Sequence, residues 1–159
     1  EITDRATLLV RAPLKMSGRE IEKFVLKYSD WIDEKLRIAQ NRSECERALD
    51  EREEELRKKA EYLFPMLTER YSAVMGLKPA SVKITSAKRR FGSCSSKNGI
   101  CFSWRLAAYP LPAIEYVVVH ELAHIKHHNH SAAFYKLIEQ YMPDYRSRIK
   151  LLKSVPTEA

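Results

Sequence analysis

Pro112-Ala113-Ile114-Glu115-Tyr116-Val117-Val118-Val119-His120-Glu121-Leu122-Ala123-His124 is an apolar helical run that closes on an H-E-x-x-H motif, with Asn129-His130 soon after it. Pro112 suits the first turn of a helix, where its missing N–H is not needed. Residues four apart on an α-helix are rotated by about 40°, so both motif histidines project from one face and can share a tetrahedral ion at about 2.1 Å. That spacing points to one zinc ion held by His120 and His124. Glu121, beside the first ligand, is placed to act as general base on a water at the ion instead of filling a coordination position.

A catalytic zinc needs a third protein ligand. Were the helix to continue, His127 and His128 would lie about 10 and 12 Å along the axis from His120, too far to join both motif histidines. His130 can join them if the chain leaves the helix and folds back, a reversal that Asn129 suits because asparagine tolerates the left-handed conformation. The reading is therefore His120, His124 and His130 as ligands, Glu121 as catalytic base, and His127 and His128 as exposed bystanders. All five histidines of the chain fall in this segment.

Outward from the motif, the charge is uneven. Residues 1–80 hold 16 Lys+Arg and 16 Asp+Glu, whereas residues 81–159 hold 12 and 5, so the net +7 belongs to the histidine half. Such a surplus describes a basic face, or one that attracts an anionic partner such as a nucleic acid or nucleotide. No apolar stretch approaches the roughly 20 residues of a membrane span. Three cysteines, an odd number at unremarkable spacing, argue against a disulfide framework and for a reducing compartment, with the cytoplasm as the default.

The 159 residues predict a single α+β domain over 1–159, with a strand-plus-helix part over 1–76 and a sheet hairpin with the zinc-site core over 80–150. The chain opens on Glu1 and runs into strand-like Ala6-Thr7-Leu8-Leu9-Val10, so upstream residues are expected to be missing. Ser17-Gly18-Arg19-Glu20 reads as a capping box, followed by Ile21, Phe24, Val25 and Tyr28 at helical spacing. A second helix is expected near Asp30. Asp50 to Val74 carries a helical stripe (Leu56, Ala60, Leu63, Leu67, Tyr71, Val74) that Pro65 should kink or break and Gly76 should end.

Val82 to Thr85 reads as a strand, and Asn98-Gly99 as the turn of a hairpin, so a small antiparallel sheet is expected. Cys94 and Cys101 flank that turn and are expected to be reduced thiols. Lys88-Arg89-Arg90 with Gly92-Ser93 is a basic turn able to hold phosphate, although it lacks P-loop spacing. Ser131 is placed to cap a helix with Phe134, Leu137, Ile138 and Tyr141 inward, and Met142-Pro143-Asp144 opens a last basic helix.

Arg90 to Ser95, Trp104-Arg105-Leu106, Tyr116 to His124 and Asn129-His130-Ser131 with Phe134, in that order, resemble the YgjP-like metallopeptidase family, related to the SprT-like and WLM zinc proteases. Val10 to Pro13 and Trp31-Ile32 resemble its N-terminal part. Phe91 and Ser103 stand where that family usually has Trp and Asn. The resemblance implies a minimal zincin-like fold, a small antiparallel sheet packed on the zinc helix, with His120, His124 and His130 as ligands and Glu121 as base. It implies a zinc-dependent metallopeptidase acting on peptide or protein. A metal-dependent nucleoside triphosphate pyrophosphatase and a nucleic-acid-associated protease are the alternative readings. Arg89, Arg90, Arg105 and Tyr116 are candidate substrate residues; Tyr116, Arg105, Tyr135 and Tyr145 are each candidates to hold the oxyanion.

Overall fold

The computed structural model describes residues 2–3 and 7–153. The chain divides into two compact units, 1–51 and 52–159. The first holds helices α1 (Gly18–Lys27) and α2 (Ser29–Glu51). Ser17 and Glu20 form the capping box reciprocally, Glu20 N–H donating to Ser17 Oγ at 3.3 Å and Ser17 N–H to Glu20 Oε2 at 2.8 Å. Of the strand expected over Ala6 to Val10, the described residues 7–10 form none. Ala6 lies outside the described residues, and Leu8 makes only an isolated bridge with Ile2. A lone bridge with no third strand beside it is marginal.

The second unit runs α3 (Glu53–Met75), β1 (Ser81–Thr85), β2 (Gly92–Cys94), β3 (Gly99–Ser103), a 3₁₀ turn (Trp104–Ala108), α4 (Leu111–Lys126), α5 (Ala132–Tyr141) and α6 (Tyr145–Leu151). Helix α3 passes through Pro65 without breaking. Pro65 and Glu61, whose carbonyl loses its partner, are both exposed, so water can take the freed carbonyl. Neighbouring Phe64 and Leu67, both in the core, hold the helix on either side. The inward stripe runs Leu56, Ala60, Phe64, Leu67 and Met75, with Val74 62% exposed, so it lies one position off the expected Leu63 and Val74. Gly76 ends α3 at φ 66° and ψ 24°, and Leu77 N–H reaches back to the Ser72 carbonyl at 3.2 Å.

The sheet has order β1-β3-β2. β2 and β3 form the expected antiparallel hairpin, with Asn98 at φ 60° in its turn. β1, however, pairs parallel to β3, with Ser81 opposite Gly99 and Thr85 opposite Ser103, so the sheet is mixed and not antiparallel. Alternation of side chains marks a strand but carries no direction. Ile100 and Phe102 are fully buried, which puts β3 at the centre with a neighbour on each edge. Cys101 faces Ser93 and Cys94 faces Ile100, so these thiols project from opposite faces; both are free.

Helix α4 is the hub of this unit. It packs against α3, β2, α5 and α6, and Ala113, Ile114, Val118, Val119, Leu122 and Ala123 are at most 1% exposed. A helix apolar on nearly all sides is stable only when covered on all sides. On the sheet, Phe64 of α3 meets Phe102 of β3 with ring centroids 5.3 Å apart. At the opposite flank Arg148 of α6 donates to Glu115 of α4 at 2.6 Å, and Arg70 of α3 approaches the same carboxylate at 3.5 Å.

Truncating Phe64→Ala leaves a cavity against Phe102 and is expected to cost about 3–5 kcal/mol, read from the urea midpoint. Arg148→Met leaves the half-buried Glu115 without its close partner and should cost about 1–3 kcal/mol. Arg70→Met, at an exposed guanidinium, should cost less than about 1 kcal/mol in the same measurement.

Candidate metal centre

His120 and His124 lie on one face of α4, one turn apart, with their Nε2 atoms 3.2 Å from each other. The helix ends where His127 turns extended, at φ −131° and ψ 100°, after its N–H closes on the Ala123 carbonyl. The same turn brings the His127 carbonyl to 3.1 Å from His124 Nδ1. Three residues later the chain has doubled back, and His130 Nε2 stands 3.1 Å from His120 Nε2. Asn129 is not in the left-handed region; among the described residues Asn98 alone of the non-glycines has positive φ. An extended His127 redirects the chain, so no left-handed residue is needed.

Phe134 of α5 forms the floor. It is fully buried, and its ring centroid lies 4.9, 4.6 and 4.8 Å from those of His120, His124 and His130. Ser131 occupies the cap position of α5 without a side-chain cap bond. Behind His120, the Tyr116 hydroxyl sits 3.2 Å from Nδ1, and the Tyr116 ring stacks on Tyr145.

Burial pushes the His120 pKa down to about 3, with the charges of His124 and His130 adding to the effect. Burial also lowers that of His124, against the opposing pull of the His127 carbonyl. His120 is therefore neutral near pH 7. With Nδ1–H of His124 donating to the His127 carbonyl, its Nε2 presents a lone pair to the other rings. Three imidazole nitrogens that converge this closely could hold a cation among them. Ligand atoms about 2.1 Å from a tetrahedral ion lie roughly 3.4 Å apart, close to the spacing found, so the donor set fits such an ion.

Glu121 is only 5% exposed and stands between α4 and β2. A Cβ on Gly92 would come within 2.7 Å of both Glu121 Cγ and Oε1, so the strand can approach the carboxylate only with glycine there. Burial pushes the Glu121 pKa up to about 7, partly opposed by the charge of Arg90.

Gly92, Ser93, Cys94, Glu121, His128 and the three converging imidazoles line one cleft of about 340 Å³. Of the expected bystanders, His128 borders this cleft and His127 does not. Arg90 lines an adjoining cavity, while exposed Arg89 lines neither. Arg105 is 7% exposed, stacks 4.1 Å from the Trp104 ring and donates to the Ser86 carbonyl, which takes it away from the cleft. Tyr116 is likewise buried behind His120. Tyr135 is 37% exposed, its ring 6.2 Å from that of His130. The sequence placed Gly92 only in a turn able to hold phosphate, and pointed to no site role for Cys94 or Phe134. Gly92 and Cys94 stood in a basic loop and Phe134 in a core stripe, and only the fold brings them to the histidines.

Among solved structures, the metallopeptidase zymogen of Pyrococcus abyssi abylysin is similar at 21% identity, covering 57% of this chain and 91% of that one with a TM-score of 0.52. At that identity the likeness concerns the fold, which is α+β and zincin-like. No curated protein matches the chain. The family described as YgjP-like, metallopeptidase domain matches residues 36–155, a span that takes in the whole second unit up to Val155 and every residue of the cleft. By this match over most of its length, the chain belongs to the YgjP-like metallopeptidase family.

Proposed function

We propose that this protein is a zinc-dependent peptidase whose ion is held by His120, His124 and His130 and whose general base is Glu121. The observation that carries the reading is the convergence of three imidazole nitrogens, 3.1 and 3.2 Å apart across His120, beside a buried carboxylate in one cleft. A zinc ion bound there supplies Lewis acidity, polarising the scissile carbonyl and making an attacking water more acidic.

The chain's own groups do the rest. A Glu121 carboxylate oxygen takes the proton from the attacking water and passes it to the leaving amine. Its burial strengthens it as a base, and Gly92 fixes where it stands. Tyr116 accepts from Nδ1–H of His120 and so keeps the Nε2 lone pair directed at the ion. Phe134 holds the three rings in their relative positions. His128 and the backbone at Gly92 and Ser93 border the space where the peptide lies. The match to a metallopeptidase family favours peptide over nucleotide as substrate. Arg89 and Arg90 do not line a common pocket, so the geometry gives no paired phosphate clamp. No helix among the described residues is long and apolar enough to cross a membrane.

The test pairs metal analysis with hydrolysis of an unfolded protein. Wild type should carry one zinc per chain and cleave. Glu121→Gln should keep the metal and lose about 10²–10⁴-fold in kcat, and cleavage that survives it would reject Glu121 as base. His130→Ala should drop the metal content well below one per chain; unchanged content would remove His130 from the ligand set. Tyr116→Phe should weaken zinc affinity about 10–100-fold in chelator competition. Gly92→Ala should retain zinc while kcat falls about 10²-fold, the loss expected when a reacting group is misplaced by roughly 1 Å.

A further inference from the structure

We infer that the cavity on the outer face of the sheet, lined by Arg90 and Ser93, is a subsite for a carboxylate carried by the peptide being cleaved. The inference rests on reading the histidine cleft as a peptidase centre and names the substrate class that the centre prefers.

Paired residues of neighbouring strands share a face, so Thr85, Ser103, Cys101 and Ser93 all project to the side of the sheet away from Phe102 and the core. They line a cavity of about 110 Å³ together with Arg90. Its donors are few and specific. The Ser103 hydroxyl donates to the Ala87 carbonyl at 2.7 Å and the Thr85 hydroxyl to the Phe102 carbonyl at 3.3 Å, so neither proton is free for a ligand. Arg90 makes no ion pair among the described residues, and the Ser93 hydroxyl has no hydrogen-bond partner among them. One guanidinium fork and one hydroxyl match a carboxylate, which takes a bidentate pair from arginine and has a lone pair to spare. A triphosphate would call for more donors than this cavity presents.

The cavity adjoins the cleft directly, because Gly92 and Ser93 line both. An extended peptide advances about 3.3 Å per residue and turns successive side chains to opposite sides. A carboxylate entering the cavity therefore belongs to a residue within about three positions of the bond cleaved. It is either an Asp or Glu side chain or the C-terminal carboxylate of a short substrate.

The test uses the zinc-loaded full chain and matched peptides bearing Glu or Gln at each of the three positions on either side of the scissile bond. Each peptide is made both as free acid and as C-terminal amide. The expected result is a kcat/KM preference of about 10-fold or more for Glu over Gln at one position, or for acid over amide. The first identifies a side chain as the occupant and the second a chain terminus. Arg90→Gln should bring the ratio close to 1, and Arg90→Glu should reverse it. Arg89→Gln should leave the position dependence in place. Kd values for the same peptides on zinc-loaded Glu121→Gln give a second reading that does not need turnover. Ratios near 1 throughout, in both cleavage and binding, overturn the subsite, as does a preference that survives Arg90→Gln. An Arg90-dependent binding preference without cleavage by wild type would keep the subsite and reject the peptidase reading.

Discussion

Helix α4 has to be covered on every side and yet keep one turn open to chemistry, and that constraint organises the second unit. Its shaft is so apolar that α3, β2, α5 and α6 all pack on it. Near its C-terminal end, His120, Glu121 and His124 set polar side chains into the cleft. The cover therefore ends where the chemistry begins. Strand β2 closes over Glu121 as nearly as a glycine permits, and α5 brings Phe134 under the imidazoles. Packing that stabilises the fold and packing that positions the cleft are here the same contacts.

The electrostatics follow from that burial. Taking His120 out of water disfavours its charged form and leaves a neutral ring, whereas taking Glu121 out of water raises its affinity for a proton. One environment thus pushes two adjacent residues in opposite directions, toward a neutral imidazole and toward a carboxylate that binds a proton more tightly. The positive surplus read from the sequence is confined to residues 81–159, and Arg90 is where it comes nearest to Glu121. Arg105 looked equivalent in the sequence but spends its charge inside the unit, against Trp104 and the Ser86 carbonyl. A guanidinium's role depends on what lies within reach of its fork, and residue type does not disclose that.

The legible parts of the fold were those governed by neighbours in the chain. The capping box at Ser17, the β2–β3 hairpin through Asn98-Gly99 and the αL stop at Gly76 each rest on interactions spanning a few residues. The errors share the opposite cause. Pro65 breaks a helix only where core packing does not hold it together, and α3 is anchored by Phe64 and Leu67. The direction of β1 depends on which edge of β3 is open, and alternation in Val82 to Thr85 is the same for either direction. The strand expected over Ala6 to Val10 had the right pattern but has no sheet to join among the described residues.

The candidate site divides along the same line. By itself the sequence determined the donor types and their local order, because a four-residue spacing on a helix sets two imidazoles on one face whatever surrounds it. It also limited the third imidazole to one beyond the end of the helix. Only the tertiary structure decided how the chain returns, through an extended His127, and how close the three rings come. It alone brought Gly92 against Glu121 and set Arg90 at a cavity beside the cleft. Those relations join segments about thirty residues apart, and no local periodicity records a distance between elements that meet only when the core closes.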